Sequence, residues 1–380
     1  MGLFGPLLDR AEADSDAVIL NAGELARGLP WTAFCLQQAD RILAVTVGGP
    51  VPAGVGEHVA LRGCDLVGWN VSRGSGSLEG WATVLDPVET HVLRESELDG
   101  DVERAARRLC GRSVGVVLSG GGARAFAHIG VLEELMAAGI EIDRVLGVSM
   151  GAYVGALFAM GMGGDEMDAR CFEEWVQRRP LGDYTLPRHA FIRGQRAEAM
   201  LHRSFGETAV EELPRSYMCG VAELRSGRLL VVRHGLLWEG VGASICIPVL
   251  APPILRGRDL LVDGSLVDNL PVQTMADLRE GPVIAVDVKA SFESSGGEAQ
   301  ANATRTREPR PPSLGETLTR VLLLGSSNTS DAARRHADLI IKPRAEGVGL
   351  LEFHQIDAAR EAGRAAAREA LERDAAPLFG

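Results

Sequence analysis

Short apolar runs alternate with amphipathic stretches along most of the chain. SVGVVL (113–118) is a continuous apolar run, the signature of a strand covered on both faces. A helical pattern follows it to Ala138, and IDRVLGVS (142–149) predicts a second strand, giving one βαβ unit. Further strands are predicted at YMCGVAEL (217–224), RLLVVRH (228–234), DLLVDG (259–264), VIAVDV (283–288) and ADLIIKP (337–343). Strands interleaved with helices imply an α/β fold, three-layered, with a mostly parallel central sheet and helices on both faces.

The first 108 residues read as a smaller α/β unit. Strands are expected at 16–23, 39–49, 65–73 and 81–85, with a helix over Trp31–Gln38 and a turn at 73–77. A connecting helix is expected at 101–112. The stretch 291–313 is rich in Ser, Gly, Pro and charge and reads as a mobile loop. The segment 354–374 reads as an Ala/Glu/Arg helix with a solvated charged face. The expected division is a small unit over 1–108, a larger one over 109–345, and a terminal region over 346–380 whose helix packs on the larger unit.

Composition narrows the function. With 39 Lys+Arg against 51 Asp+Glu the chain is acidic, and Lys289 and Lys342 are its only lysines, so no basic block suits nucleic acid. The same balance gives no general attraction to anionic membranes, though it leaves apolar contact with a lipid surface open. The six cysteines form no CxxC or Cys/His cluster, so no metal site is expected, and their dispersal suits a reducing compartment. The N-terminus lacks a basic stretch before an apolar run, and no segment approaches ~18 apolar residues. A cytoplasmic protein is therefore expected, peripheral membrane contact being the open point. GGDEMD (163–168) reads as a helix start rather than a calcium site, and Asn70 and Asn302 as chance glycosylation patterns.

GVSMG (147–151) carries the clearest chemistry. It stands after an apolar strand and before an apolar helix, the setting of a nucleophile elbow. The sharp turn lifts the Ser149 hydroxyl clear of the sheet, and Gly147 and Gly151 keep side chains out of its way. A serine needs a base. The histidines after it, His189, His202, His234, His336 and His354, lie in no context that singles one out. DLLVDGSLVDNLPV (259–272) ends a strand in Asp263-Gly264, either a site carboxylate at the C-terminal end of a parallel strand or a plain D-G turn. In VLSGGGARA (117–125), Gly120, Gly121 and Gly122 open a helix, so their N–H groups can converge on an anion. That anion is either a phosphate, as in a nucleotide site with Glu141 on the ribose, or a transient oxyanion. The missing Gly-Lys-Ser/Thr argues against a P-loop. His128 is expected to orient the helix rather than to act in chemistry.

SGGGARA, GVSMG and DGS, in this order, resemble the patatin-like phospholipase family, with the likeness running over about 110–345. HIGVLEELMAAGIEIDRVLGVSMGA and GASICIPVLAPPILRGRDLLVDGSLVDNLPV are especially similar to the family pattern. The spacing and QQADRILAV ahead of it resemble bacterial relatives of neuropathy target esterase. The resemblance implies a Ser–Asp dyad, with Ser149 as nucleophile and Asp263 as base. It further implies an oxyanion hole of Gly120, Gly121, Gly122 and Ala123, supported by Arg124, Gly147, Gly151 and Gly264. Ser119, Ala125 and Ser265 depart from the usual small-residue pattern without removing a catalytic group.

A carboxylate with pKa ~3.9 is a weak base in water, so the dyad requires a dry cleft that raises it. The implied activity is hydrolysis of a fatty-acyl ester, phospholipid or lysophospholipid before neutral glyceride, with no metal or cofactor. Tyr153, Leu157, Phe158 and Met160 are expected to line the acyl pocket. An acyltransferase on the same site and a nucleotide-binding protein are the alternatives.

Overall fold

The computed structural model describes residues 4–25, 28–71, 78–186, 190–288, 335–345 and 347–374. The expected turn at 73–77, the expected loop at 291–313 and His189 lie outside these residues. Two sheets organise the chain. The first part contains α1 (Gly5–Asp14), α2 (Pro30–Gln38), β1 (Leu43–Thr46), β2 (Asp65–Trp69), α3 (Glu79–Leu85), β3 (Glu89–Leu93) and α4 (Leu98–Leu109). Its strands form a parallel three-stranded sheet in the order β1-β2-β3.

Two expectations for this part fail. Residues 16–23 form no strand, and Ile19 is 96% exposed. The apolar run is short and has no neighbouring strand. Instead the Asn21 and Ala22 carbonyls accept bonds from Trp31 Nε1 and Thr32 Oγ1. Residues 81–85 are helical in α3, because Leu78, Ala82 and Leu85 bury at helical spacing and not at alternate positions. Strand β3 escaped notice because its polar Glu89, Thr90 and His91 hide the strand pattern; His91 is buried beside Asp65.

The larger part runs β4 (Val114–Leu118), α5 (Ala127–Ala137), β5 (Ile142–Val148), α6 (Met150–Ala159), α7 (Gly164–Cys171), α8 (Gln195–Phe205), β6 (Ser216–Glu223), β7 (Arg228–Val232), α9 (Leu237–Ser244), β8 (Ile254–Arg256), β9 (Asp259–Asp263), α10 (Val272–Ala276), β10 (Val283–Val286), β11 (Leu339–Ile341) and α11 (Ile356–Asp374). The eight-stranded sheet has the order β11-β10-β4-β5-β6-β9-β8, with β7 also on β6. The run from β11 to β6 is parallel, whereas β7, β8 and β9 join antiparallel. Alternate residues of β4 and β5 enter separate cores. Val116, Leu118 and Val145 pack with α5, α6, α9 and α11, while Val117 and Leu146 pack with Met275 of α10 and its neighbours.

Buried charges join the two parts. Arg108 of α4 lies between Glu89 of β3, at 2.5 Å, and Glu280, at 2.7 Å. Glu280 also approaches Arg41 at 3.5 Å and the fully buried Arg144 of β5 at 3.8 Å. Removing one member of such a set leaves a buried charge unpaired, which costs about 3–5 kcal/mol.

Helix α11 lies across α5, and its charges are not merely solvated. Arg360 and Arg364 pair with Glu133, Arg368 pairs with Glu134, and Arg360 also reaches Asp165 and Asp168 of α7. The acidic stretch 163–168 thus spends two carboxylates on an arginine. The crossing depends on two glycines. A Cβ on Gly363 would lie 1.9 Å from the Ala127 carbonyl oxygen, and one on Gly130 would lie 2.0 Å from that of Arg360.

Gly363→Ala should therefore force the helices apart and cost about 2 kcal/mol or more, with a fall of several degrees in Tm by calorimetry. Arg368→Ala, which removes an exposed pair, should cost under about 1 kcal/mol. Equal losses from the two substitutions would mean that the close crossing contributes nothing.

Candidate active site

Strand β5 is buried throughout and delivers Ser149 to the start of α6. Ser149 has φ 55° and ψ −130°, an unusual conformation for a residue with a side chain. Such backbone costs about 1–3 kcal/mol and persists only where its surroundings hold it. Here the Ser149 N–H donates to Ser244 Oγ at 2.9 Å, and that hydroxyl donates onward to the Gly220 carbonyl at 2.7 Å. Gly147 and Gly151 allow the turn to pack against its neighbours. A Cβ at the first would sit 2.4 Å from Ala152 Cα, and at the second 2.4 Å from the Leu118 carbonyl oxygen.

Asp263 arrives from the opposite direction. Strand β9 is antiparallel to β6, not parallel as the sequence suggested. Cys219 and Gly220 of β6 are shared by β5 and β7, while Val221 to Glu223 are shared by β7 and β9. Strands β5 and β9 therefore occupy the same edge of β6 and run toward each other. One ends at Val148 opposite Gly220, the other at Asp263 opposite Val221. The Ser149 hydroxyl donates to Asp263 Oδ2 at 2.6 Å, and the Ser265 N–H donates to Oδ1 at 2.8 Å. Gly264 is obligatory at this junction, since a Cβ would lie 2.3 Å from the Gly220 carbonyl oxygen. Burial raises the Asp263 carboxyl to about 6, against the opposing pull of its bonds from Ser149 and Ser265.

The glycine loop crosses directly over Ser149. A Cβ on Gly120 would be 2.9 Å from Ser149 Cβ, and Gly120, Gly121, Gly122, Ser149 and Asp263 line one cavity. Gly120 and Gly121 keep their N–H groups free of partners among the described residues, and Gly122 opens a 3-10 turn, whose first N–H has no intrahelical partner. Ala123 differs from expectation. Its N–H donates to the Leu350 carbonyl at 2.8 Å and is not available to an oxyanion. Arg124 is turned away as well, donating from Nε to the Val348 carbonyl at 2.8 Å. His128 is fully buried, and its Nε2 donates to the Ser119 carbonyl at 2.8 Å. Burial lowers its pKa to about 4, so the ring is neutral at pH 7 and ties α5 to the loop. Asn269 Nδ2 holds the Gly120 carbonyl at 3.2 Å.

Sequence reasoning missed Ser244, Asn269 and Leu350. Ser244 and Asn269 lie inside stretches singled out by resemblance, yet their partners are remote in the chain.

The cavity has a volume of about 600 Å³, within the range of small-ligand pockets. Its apolar walls include Trp175, Leu181, Ile192, Leu201, Trp238, Ile245, Leu250, Leu261, Leu350 and Phe353. Trp175 stands on a π-helical turn, Phe172–Gln177, and stacks on Phe353 with centroids 4.8 Å apart. Tyr153, Leu157, Phe158 and Met160 do not line the cavity. Helix α6 is buried along its whole length, so its side chains fill the core; Tyr153 Oη, for example, bonds Ser204 Oγ at 2.8 Å. No histidine of the described residues lines the cavity either.

Residues 116–276 match the family model described as patatin-like phospholipase. An uncharacterized NTE family protein of Mycobacterium tuberculosis (strain ATCC 25618 / H37Rv) is 37% identical over 381 residues, covering 97% of this chain and 64% of that protein. The chain thus spans less than two thirds of the length of the mycobacterial relatives it matches. Lysophospholipase nte1 of Aspergillus fumigatus is 31% identical over 297 residues, covering 73% of this chain and 19% of the fungal protein. Among solved structures, VipD from Legionella pneumophila aligns with a TM-score of 0.41 and 13% identity over 71% of this chain and 70% of that one.

Ser244→Ala should release the strained Ser149 backbone by removing a buried bond worth about 1–3 kcal/mol. The expected result is a fall in kcat of about tenfold or more on a soluble ester, with KM little changed. An unchanged kcat would mean that the turn holds Ser149 without this hydroxyl.

Proposed function

The chain belongs to the patatin-like phospholipase family, and on that footing we propose that it is a serine acyl hydrolase of lipid esters working through a Ser149–Asp263 dyad. The observation that carries the reading is the 2.6 Å bond from the Ser149 hydroxyl to a buried carboxylate, at the side of an apolar cavity. An ionised Asp263 accepts the hydroxyl proton as Ser149 Oγ forms a bond to the acyl carbonyl carbon. The carbonyl π pair moves to oxygen, and the resulting oxyanion takes hydrogen bonds from Gly120, Gly121 and Gly122 N–H. When the carbonyl re-forms, the bond to the alcohol oxygen breaks and protonated Asp263 gives that oxygen its proton. A water then attacks the acyl-Ser149 ester, losing its proton to Asp263. Collapse releases the fatty acid and returns a proton to Ser149 Oγ.

Burial makes this base effective. Raising the carboxyl to about 6 brings its basicity closer to that required at neutral pH, while leaving it mostly ionised there. The direct carboxylate contact leaves no place for an intervening histidine. The N–H groups of Gly120 and Gly121, without partners among the described residues, and that of Gly122, without an intrahelical one, support an oxyanion hole that omits Ala123. The name of the fungal relative, a lysophospholipase, supports a lysophospholipid or phospholipid as substrate. The phosphate-cradle reading is disfavoured by space and charge. Gly120 sits against Ser149, and Arg124, the basic residue of the loop, does not line the cavity.

Ser149→Ala and Asp263→Asn should each lower kcat/KM on a fatty-acyl ester by at least about a thousandfold, whereas His202→Ala and His234→Ala should stay within about twofold. Survival of Asp263→Asn alongside loss in a histidine variant would sink the dyad.

The pH dependence has a definite sign. Below about 6 Asp263 holds its proton and cannot accept another, so kcat/KM should fall with decreasing pH through that value and plateau above it. The profile would be measured on a substrate that does not titrate. A rate flat from pH 5 to 8, on the order of this window, would exclude Asp263 as the base.

A further inference from the structure

Three consecutive glycines have no side chains to hold their peptide planes, and glycine has the widest backbone freedom of any residue. An oxyanion hole needs the opposite, donors fixed in direction before charge develops. In this loop the carbonyls are the parts that are held. In a planar trans peptide the C=O of one residue and the N–H of the next point in opposite directions, so a bond to the carbonyl sets the direction of the N–H that follows. His128 Nε2 donates to the Ser119 carbonyl at 2.8 Å, which sets the Gly120 N–H. Asn269 Nδ2 donates to the Gly120 carbonyl at 3.2 Å, which sets the Gly121 N–H. The Gly121 carbonyl accepts the Arg124 N–H at 3.3 Å, a backbone bond of the turn that follows, which sets the Gly122 N–H. Each N–H of the run is thus governed by a different partner, and for Gly120 and Gly121 that partner is a side chain.

The burial of these two side chains adds an independent sign. His128 is 0% exposed and Asn269 1%, yet His128 Nδ1 and Asn269 Oδ1 have no hydrogen-bond partner among the described residues. A buried polar group satisfied on one side only is less favourable than an apolar side chain of similar shape. Packing alone would therefore favour an apolar residue at either position, and what an apolar residue lacks is the donor. The peptide that His128 holds is also anchored from its other side. The Ser119 N–H donates to the Val286 carbonyl of β10 at 3.1 Å, and Ser119 Oγ accepts the Val288 N–H at 3.0 Å. Asn269 belongs to the segment that follows Asp263, so one stretch of chain carries both the base and a holder of the loop.

We propose that His128 and Asn269 are positioning residues of the reaction, His128 aiming the Gly120 N–H and Asn269 the Gly121 N–H at the acyl oxygen that becomes negative. The proposal rests on the acyl-hydrolase reading of the site. The charge that these donors meet exists only on the way through the tetrahedral intermediate, so the effect falls on kcat rather than KM. It is separate from the base, because neither bond involves Asp263.

The test uses His128→Leu and Asn269→Leu, which each remove one donor, and His128→Gln, which keeps an N–H near the place of Nε2. On a soluble monomeric ester each leucine variant should lower kcat by about 10- to 100-fold with KM within about twofold, less than outright loss of an oxyanion donor because the N–H itself remains. Binding of a trifluoromethyl ketone, whose hemiketal on Ser149 carries the oxyanion, should weaken by a similar factor. His128→Gln should recover most of the kcat, and the pH midpoint near 6 should stay in place in all three. Order parameters of protein labelled with 15N-glycine read the loop without turnover. The Gly120 N–H should loosen in His128→Leu and the Gly121 N–H in Asn269→Leu, from about 0.85 to below about 0.6. A kcat and a ketone affinity within about twofold of the unsubstituted protein in both leucine variants overturn the proposal. So does a His128→Gln variant no better than His128→Leu, a moved pH midpoint, or equal loosening of both N–H groups in either leucine variant. Order parameters that change as stated in a protein that hydrolyses no ester would remove the acyl-hydrolase reading and leave the two side chains as holders of the loop. Hydrolysis lost in Ser149→Ala but undiminished in both leucine variants would remove the positioning role alone.

Discussion

Two strands running toward each other along one edge of β6 place a hydroxyl and a carboxylate 2.6 Å apart, and the rest of the site is arranged around that meeting. The constraint is geometric. Both strands must stop at neighbouring residues of β6, because continuing either would displace the other. Gly220 and Gly264 let the two ends approach, and Ser244 bonds both the Ser149 backbone and the Gly220 carbonyl. Burial at this junction raises the Asp263 carboxyl to about 6.

The glycine loop is held from behind by parts of the chain far away in sequence. His128 and Asn269 hold the carbonyls of Ser119 and Gly120. The Val348 and Leu350 carbonyls take the Arg124 guanidinium and the Ala123 N–H. Helix α11 follows directly and is locked across α5 by glycine contacts and arginine–carboxylate pairs. The C-terminal region is thus a structural part of the loop over the serine. It also contributes Leu350 and Phe353 to the cavity wall.

The first part of the chain reaches the same sheet through charge rather than apolar packing alone. Glu280 accepts Arg108 while lying near Arg41 and Arg144, so residues from α4, β5 and the segment before β1 share one carboxylate. Arg144 sits on the strand that carries Ser149, and its guanidinium also bonds Ser113 at the start of β4. Burial lowers its pKa to about 10, still well above neutrality, so the cation persists and its partners are obligatory.

Local pattern revealed the strand–turn–helix around Ser149 and the glycine run ahead of α5, because a buried strand, a tight turn and a helix start are written in adjacent residues. It misjudged 16–23 and 81–85, where short apolar runs take their conformation from neighbours, and it passed over β3, whose buried polar residues mimic a surface. Asp263 stood out as a carboxylate closing a strand, but the direction of that strand depended on its pairing with β6. The amino-acid sequence by itself therefore determined the α/β architecture, the elbow and the glycine run ahead of α5. Tertiary structure decided that β9 meets β5 end to end, that Leu350 consumes the Ala123 N–H, and that α8, α9 and the C-terminal segment wall the cavity while α6 fills the core. The division follows from the physics: periodicity and turn chemistry act between near neighbours, whereas shared strand edges, hydrogen-bond allocation and burial are fixed only when distant segments compete for the same partners.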